Sequence, residues 1–402
     1  MEITSIGGVL VEGNFDWPLV RIETDEGITG YGEVRDHGRG EFDPAETFYV
    51  DDPLDLALDL APELVGTDPT NVAGRFEEIR RYGGWGREGG GVSGVEMALW
   101  DAYGKAVGEP VWKLLGGKYR DEVRVYCDCR AVADSATDYA LANNDYSPAG
   151  YAEHAATREA QGFDFLKFDL MPSAAKHVTG EVGLRDGHLT RAGLEYVEEV
   201  VAALREAVSA DTDLGFDCYE LSACPVSDAI RFAERLAGYD VSVLEDVVPD
   251  DDVEEWSRVT DATTIPTITG EDLYTVEGFA PLVRNDAIDV VGPDLLTAGG
   301  IRETVRICTF ANHHGMPANL HFAGSPVGFA ASVHAAAAIE DLLALEFHAV
   351  GVPWWEDLVA ETPFENGRAP VPETPGLGVT LDEDVVLDHA REDDWVTGES
   401  RG

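Results

Sequence analysis

Along residues 121–350, short apolar runs rich in β-branched and aromatic residues alternate with stretches whose apolar residues recur at helical spacing. The runs read VRVYCDC, FDFLKFDL, DLGFDCYE, VSVLEDVV, TIPTITGED, AIDVVGPDLL, MPANLHFAG and DLLALEFHA. Their length and composition predict eight strands buried on both faces. Intervening segments such as VSDAIRFAERLAGYD and GGIRETVRICTFANHHG predict helices that end near Gly or Asp.

The last chemically capable residue of each later run is Asp217, Glu245, Glu271, Asp294, His321 or Glu346, at separations of 28, 26, 23, 27 and 25 residues. A strand, a crossover helix and two loops need about that length, because parallel strands cannot be joined by a tight turn. The repeat predicts a (β/α) barrel. Lys167 precedes Asp217 by 50 residues, and the excess, MPSAAKHVTGEVGLRDGHLTRAG, reads as a long polar loop over the barrel mouth.

Residues 1–120 follow a different pattern. ITSIGGVLVEG, WPLVRIETDEG and ITGYGEV alternate as a three-stranded meander, and GVEMALWDAYGKAVGEPVWKLLGG reads as one helical stretch. The expected division is a first α+β domain over 1–120 and a barrel over 121–350. The tail, 351–402, rich in Pro, Gly and acids, is expected to pack back on the first domain.

Charge narrows the possible partners. With 77 acidic against 28 basic residues the formal net charge is -49. Such a field repels nucleic acid and anionic membrane surfaces, and no apolar run approaches the ~20 residues of a membrane span. The acidic start, MEITSIGGVLVEGNFDW, lacks the layout of a signal peptide, so a cytoplasmic protein is expected. Five cysteines without a C-x-x-C pair indicate buried free thiols, not disulfides or zinc.

The chemistry concentrates at the carboxyl ends of the strands, which converge on one mouth in such a barrel. Asp217, Glu245 and Glu271 placed there would repel one another unless a cation lay between them. They imply a hard divalent ion, Mg2+, with oxygen ligands; the competing reading is unrelated surface acids. A His321 held by Asp294 would be an oriented base with a defined tautomer, or else a histidine satisfied in the core. Glu346 could hydrogen-bond a substrate.

These residues carry a resemblance. The GVEMALWDAYGKAVGEPVWKLLGG helix, LED, TGED, VVGPDLLTAGGI and the NLH strand end resemble the enolase superfamily, mandelate racemase subgroup, over almost the whole chain. The resemblance implies a modified TIM (β/α)7β-type barrel closed by an N-terminal α+β capping domain. It further implies Mg2+ on Asp217, Glu245 and Glu271, a His321–Asp294 dyad, Glu346 beside the substrate carboxylate, and commonly a homo-oligomer. The shared half-reaction is removal of the proton α to a carboxylate, giving an enediolate.

Two departures bear on the second half-reaction. Relatives of the racemase type carry Lys-x-Lys on the second strand, whereas LKFDL gives Lys167-x-Asp169. Lys167 keeps the electrostatic role; Asp169 could orient Lys167, contact a substrate hydroxyl or face solvent. On the third strand Tyr219 stands where many relatives have Asn or His, either as a functional hydroxyl or as packing. With one secure base, dehydration of a small sugar acid, an aldonate, to a 2-keto-3-deoxy acid is the expected reaction. His321 would remove the α-proton and return it to the leaving β-hydroxyl. A racemase or epimerase of a 2-hydroxy acid or acid sugar is the alternative, and a catalytically silent metal-binding or regulatory homologue is the alternative outside enzymes. In the first domain GNFDWP and RRYGGWGREGGG offer Trp17, Tyr82, Trp85 and Arg87 as substrate contacts or as interdomain packing.

Dense acids keep a surface hydrated in a salt-rich cytoplasm, where counter-ions screen their repulsion. The melting temperature is therefore expected to rise from dilute buffer to multimolar KCl; greatest stability in dilute buffer would contradict the halophile reading.

Overall fold

The computed structural model describes residues 1–13, 16–35, 53–84, 89–129, 145–348, 352–361 and 363–397. The meander forms as expected: β1 (Ile3–Glu12), β2 (Asp16–Thr24) and β3 (Thr29–Glu33) are antiparallel, with Val20 opposite both Gly8 and Gly32. Both of its faces are buried, Ile6, Val20 and Ile22 lying on one and Val9 and Leu19 on the other. The helix α1 (Val72–Ile79) and the long α2 (Gly90–Val107) pack nearby. The stretch read as one helix breaks after Val107, where Gly108 adopts φ 73° and Pro110 follows, and a short turn of helix resumes at Val111–Leu114. β3 approaches α2 so closely that a Cβ on Gly32 would collide with the Gly94 carbonyl oxygen.

All eight predicted runs form barrel strands: β4 (Glu122–Cys129), β5 (Phe165–Asp169), β6 (Asp213–Asp217), β7 (Val243–Glu245), β8 (Thr267–Thr269), β9 (Val290–Val291), β10 (Ala318–Leu320) and β11 (Leu342–Phe347). Each pairs in parallel with the next, and β11 pairs with β4 through Leu345–Val125, Glu346–Tyr126 and Phe347–Cys127, closing the cylinder. Among the described residues seven helices cover the outside: α3 (Pro148–Ala160), α4 (Arg191–Ala207), α5 (Val226–Leu236), α6 (Val253–Ala262), α7 (Thr275–Arg284), α8 (Gly300–His313) and α9 (Pro326–Ala338). Among the described residues after β11 there is a three-residue helical turn, Glu356–Leu358, and later a six-residue helix, Glu383–Asp388. Tyr126, Phe165, Val243, Ile268, Val290 and Ala344 pack together as an apolar layer inside the barrel.

The excess after β5 is more structured than the expected loop. It folds into short helical turns, Pro172–Ala174 and Ala175–Thr179, and a hairpin pairing Leu184–Arg185 with His188–Leu189. Elements this short carry no readable period, so their polar sequence resembled a loop. The C-terminal segment is shared between both parts: β12 (Arg368–Pro370) runs antiparallel to β4, and β13 (Val396–Thr397) joins the edge of β1. All five cysteines are buried free thiols. Among the described residues no helix is long and apolar enough to cross a membrane.

Two buried carboxylates of the first domain dock it onto barrel helices. Glu33, at the end of β3, accepts from the backbone N–H of Ser325 (2.8 Å) and of Gly328 (3.0 Å) and from the Ser325 hydroxyl (2.6 Å), at the start of α9. Glu96 on α2 accepts from the N–H groups of Ile301 (2.7 Å) and Arg302 (3.1 Å) at the start of α8. Each acid meets a helix N-terminus, where orphan donors and the helix dipole favour negative charge. Gly300, at φ 87°, admits Glu96; a Cβ there would strike its carboxylate.

Burial pushes both carboxyls up, to about 7 for Glu33 and about 7 for Glu96. The folded protein then holds more protons than the unfolded chain between the ordinary carboxylate range and pH 7, so stability falls as pH rises through that window. Glu33→Gln and Glu96→Gln are each expected to flatten this dependence. The wild-type unfolding free energy, compared with that of either variant, should drop by on the order of 3 kcal/mol from pH 4 to pH 8, measured by denaturant melts at fixed salt. Parallel curves for wild type and variant would refute the assignment.

Candidate active site at the barrel mouth

The strand repeat delivers its polar ends to one place. Asp217 and Glu245 are the final residues of β6 and β7, Glu271 lies just past β8, Asp294 past β9, His321 directly after β10, and Glu346 near the end of β11. In parallel strands these ends share one rim, and side chains alternating with the apolar layer point inside.

Lys167 on β5 stands at the centre of the charges. Its ammonium lies 3.0 Å from Glu245, 2.9 Å from Glu346 and 3.8 Å from Asp217, with only 2% of the residue exposed. Glu346 is fully buried; it accepts from the Tyr126 hydroxyl at 2.8 Å and from the Phe322 N–H at 3.1 Å. Burial pulls the Lys167 ammonium toward neutrality, yet Glu245 and Glu346 overcome it and hold its pKa well above the usual value.

His321 bridges two carboxylates, with Nδ1 2.8 Å from Asp294 Oδ2 and Nε2 2.7 Å from Glu271 Oε2. Burial opposes its protonation, but Glu271 and Glu346 raise its pKa well above the ordinary histidine value. Burial likewise lifts Glu271, but the His321 charge outweighs it and holds that carboxyl well below its usual range. Asp294 is fixed from behind by the Leu296 N–H at 2.7 Å.

Two participants were not legible in the sequence. Arg35, two residues beyond β3, reaches from the first domain into the dyad: its guanidinium meets Asp294 Oδ2, lies 3.2 Å from His321 Nδ1 and 3.8 Å from Glu271. No spacing or motif marks an arginine that acts across 259 residues. Asp246, beside Glu245, adopts φ 51° and accepts from the Thr269 hydroxyl at 2.6 Å. Glu245, Asp246 and Glu271 each bring a carboxylate oxygen to within 4.8 Å of the others; Asp217 adjoins this set on the neighbouring strand. The LED tripeptide could have signalled Asp246, since a second acid directly after a buried strand end turns toward the same rim.

The remaining candidates fall out differently. Asp169 stands level with Asp217 on the adjoining strand, and its carbonyl accepts from the Tyr151 hydroxyl at 3.1 Å. The Tyr219 hydroxyl donates to Met171 Sδ at 3.1 Å, and its N–H to Asp217 Oδ1 at 3.2 Å. Trp17 is fully buried with its ring edge-on to Trp354 at 5.5 Å. Tyr82 is 48% exposed and donates to Glu63 at 2.6 Å. Among the described residues no contact brings Trp17 or Tyr82 to the mouth; Trp85 and Arg87 lie outside those residues.

The donor set suits a hard divalent cation. Burial and mutual repulsion raise Asp217 and Asp246 well above the carboxylate range and Glu245 to about 8. Among the described residues the buried Glu245 Oε2 has no hydrogen-bond donor in good geometry, with the Lys167 ammonium 3.0 Å away. Carboxylates crowded this way remain short of positive charge, and all-oxygen donors match Mg2+ or Mn2+ more than softer metals.

Removing Lys167 should expose that repulsion. Lys167→Met is expected to destabilise the fold by about 3–5 kcal/mol, because it leaves Glu245 and Glu346 buried without their nearest counter-charge. Lys167→Met combined with Glu346→Gln should recover part of the loss in denaturant melts; additive losses would show that the two side chains act independently.

Comparison with known proteins identifies the family to which this fold belongs. Residues 13–116 match the mandelate racemase / muconate lactonizing enzyme N-terminal domain, and residues 150–385 the enolase C-terminal domain-like family. A D-xylonate dehydratase of Haloferax volcanii is 38% identical over 96% of this chain and 89% of its own. A D-gluconate dehydratase of Thermoproteus tenax is 28% identical, covering 92% and 68%. The crystal structure of a mandelate racemase/muconate lactonizing enzyme-like protein from Rubrobacter xylanophilus superimposes with a TM-score of 0.84 at 30% identity, covering 98% of both chains. With its barrel, its acid-lined mouth and both family domains in place, the chain belongs to the mandelate racemase/muconate lactonizing enzyme family of the enolase superfamily.

Proposed function

We propose that this protein is a hydro-lyase that dehydrates a sugar acid, an aldonate, to its 2-keto-3-deoxy acid. The observation that carries the reading is the convergence on one rim of a buried acid set, an ammonium and an Asp-held histidine. Support comes also from relatives named as dehydratases of D-xylonate, D-gluconate and D-galactonate.

Asp217, Glu245 and Glu271 would hold Mg2+, with Asp246 tied back by Thr269. The bound ion would supply positive charge where negative charge builds on the substrate carboxylate as the α-proton leaves. The chain's own residues do the rest. Asp294 accepts from Nδ1 of His321 and so directs Nε2 toward the α-carbon. Arg35 shares the Asp294 oxygen and places positive charge beside it. Since Nε2 contacts Glu271 at 2.7 Å, that contact must open before the base can take a proton. Lys167 supplies a fixed positive charge beside the developing one, and Glu346 accepts a hydrogen bond from the substrate.

The resulting imidazolium gives its proton to the departing β-hydroxyl. Water leaves, the C2–C3 enol forms, and ketonisation yields the product. Inversion at the α-carbon would need a second base on the opposite face, where Asp169 replaces the familiar lysine; this favours elimination over epimerisation.

Calorimetry in multimolar KCl is expected to show Mg2+ uptake that Asp217→Asn, Glu245→Gln and Glu271→Gln each weaken at least about tenfold, with a smaller effect of Asp246→Asn. With Mg2+ and an aldonate panel, wild type should form 2-keto acid, and His321→Asn should lose roughly 10²–10⁴-fold in rate while still taking up Mg2+. Near-normal turnover by His321→Asn would sink the mechanism. Deuterium incorporation with inversion in recovered substrate would instead select the epimerase.

A further inference from the structure

Of the six residues in the apolar layer inside the barrel, only Tyr126 on β4 carries a polar group, and it is fully enclosed. Its ring stacks on Phe165 of β5 with centroids 4.9 Å apart, and the Lys167 ammonium lies 5.8 Å from the centre of the same ring. The hydroxyl donates to Glu346 Oε2 at 2.8 Å across the seam where β4 and β11 close the cylinder, Tyr126 and Glu346 being register partners. A phenylalanine would fill the same space without taking a hydroxyl out of water. The hydrogen bond to Glu346 is what the hydroxyl adds. Burial, followed by the Glu346 charge, holds the phenol pKa well above its usual value, so the group keeps its proton and donates.

The two oxygens of Glu346 are placed differently. Oε2 accepts from Tyr126 and, at 3.1 Å, from the Phe322 N–H, and lies 3.7 Å from His321 Nε2. Oε1 lies 2.9 Å from the Lys167 ammonium and, among the described residues, has no hydrogen-bond donor in good geometry. Two donors on Oε2 occupy both of its lone pairs and fix the carboxylate plane, while Oε1 keeps acceptor capacity. One of those donors is backbone, set by its place directly after His321. Tyr126 supplies the other from the opposite strand. Without it the carboxylate hangs from a single backbone hydrogen bond and is free to turn about its Cγ–Cδ bond toward the Lys167 charge.

We propose that Tyr126 is a positioning residue whose hydroxyl holds Glu346 in the orientation that receives the sugar acid, and that it acts on the substrate only through that carboxylate. This rests on the reading above in one respect, that Glu346 accepts a hydrogen bond from the substrate. Tyr126 moves no proton in the reaction; removal of the α-proton and its return to the β-hydroxyl stay with His321. The contribution is to binding, so it is present in the ground state and the transition state alike and shows in KM with kcat nearly kept.

Tyr126→Phe keeps the ring and removes only the hydroxyl. Loss of one hydrogen bond to a charged group is expected to raise KM for aldonates about tenfold, with kcat changed less than about threefold and Mg2+ uptake by calorimetry unchanged. Aldonate binding with Mg2+ is then measured by calorimetry in the His321→Asn background, which does not turn over. There Tyr126→Phe should weaken binding about tenfold, and by less than about twofold once Glu346→Leu has removed the acceptor. An unchanged KM, a loss confined to kcat, a matching loss of Mg2+ affinity, or an effect that survives in Glu346→Leu overturns the proposal. So does a lowered melting temperature with all these constants unchanged, which makes the hydroxyl purely structural. If Glu346→Leu folds poorly, the split between KM, kcat and Mg2+ affinity in Tyr126→Phe decides. Wild type that binds an aldonate without forming keto acid, with Tyr126→Phe still weakening that binding through Glu346, overturns the dehydratase reading and keeps this one. Keto acid formed equally by wild type and Tyr126→Phe overturns this one alone, and absence of aldonate binding overturns both.

Discussion

A single ammonium, that of Lys167, holds together the mouth of this barrel. Six carboxylates, Asp217, Glu245, Asp246, Glu271, Asp294 and Glu346, crowd the rim, and the protein answers them with Lys167, His321 and Arg35. A buried charge is tolerated only when paired. Lys167 sits between acids from three different strands, so its charge is shared among them and no single partner neutralises it. The imbalance that remains, with Glu245, Asp217 and Asp246 all driven up, is what makes the rim a place for added positive charge.

That constraint extends to how the first domain sits. Glu33 and Glu96 fix it on the N-termini of α9 and α8, helices that begin soon after His321 and Asp294. Arg35 follows Glu33 by two residues, so the anchor that holds β3 to the barrel also delivers a guanidinium to the His321–Asp294 dyad. The His321 imidazole is thereby contacted by side chains from both parts of the chain. A shift of the first domain would move Arg35 relative to Asp294 and alter the charge that the imidazole sees.

The sequence made the barrel legible because each strand is a buried apolar run with a polar end, even where the strand is as short as Val290–Val291. The same regularity exposed Asp217, Glu245, Glu271, Asp294, His321 and Glu346 as one set. What stayed hidden depends on contacts that no local pattern encodes. Arg35 is an ordinary arginine until the fold carries it across to the dyad. The meeting of Tyr126 with Glu346 requires knowing that the last strand closes against the first. The helical turns and hairpin after β5 are too short to have a period. Trp17 could be read from its segment as a substrate contact or as interdomain packing, and it is fully buried; an aromatic side chain serves either purpose with the same local sequence.

The replacement of a second-strand lysine by Asp169 takes its meaning from this electrostatic frame. A lysine at that position would add a fourth cation to the rim and a base on the far face of the α-carbon. Asp169 instead adds an acid level with Asp217 and contributes to lifting the Asp217 carboxyl. The change raises the demand for a bound cation while removing the group that inversion needs, and both consequences point the same way. In the proposed dehydration, chemistry at this mouth is left to one oriented imidazole, and a single imidazole suffices when the proton taken from one carbon is returned to a hydroxyl on the next.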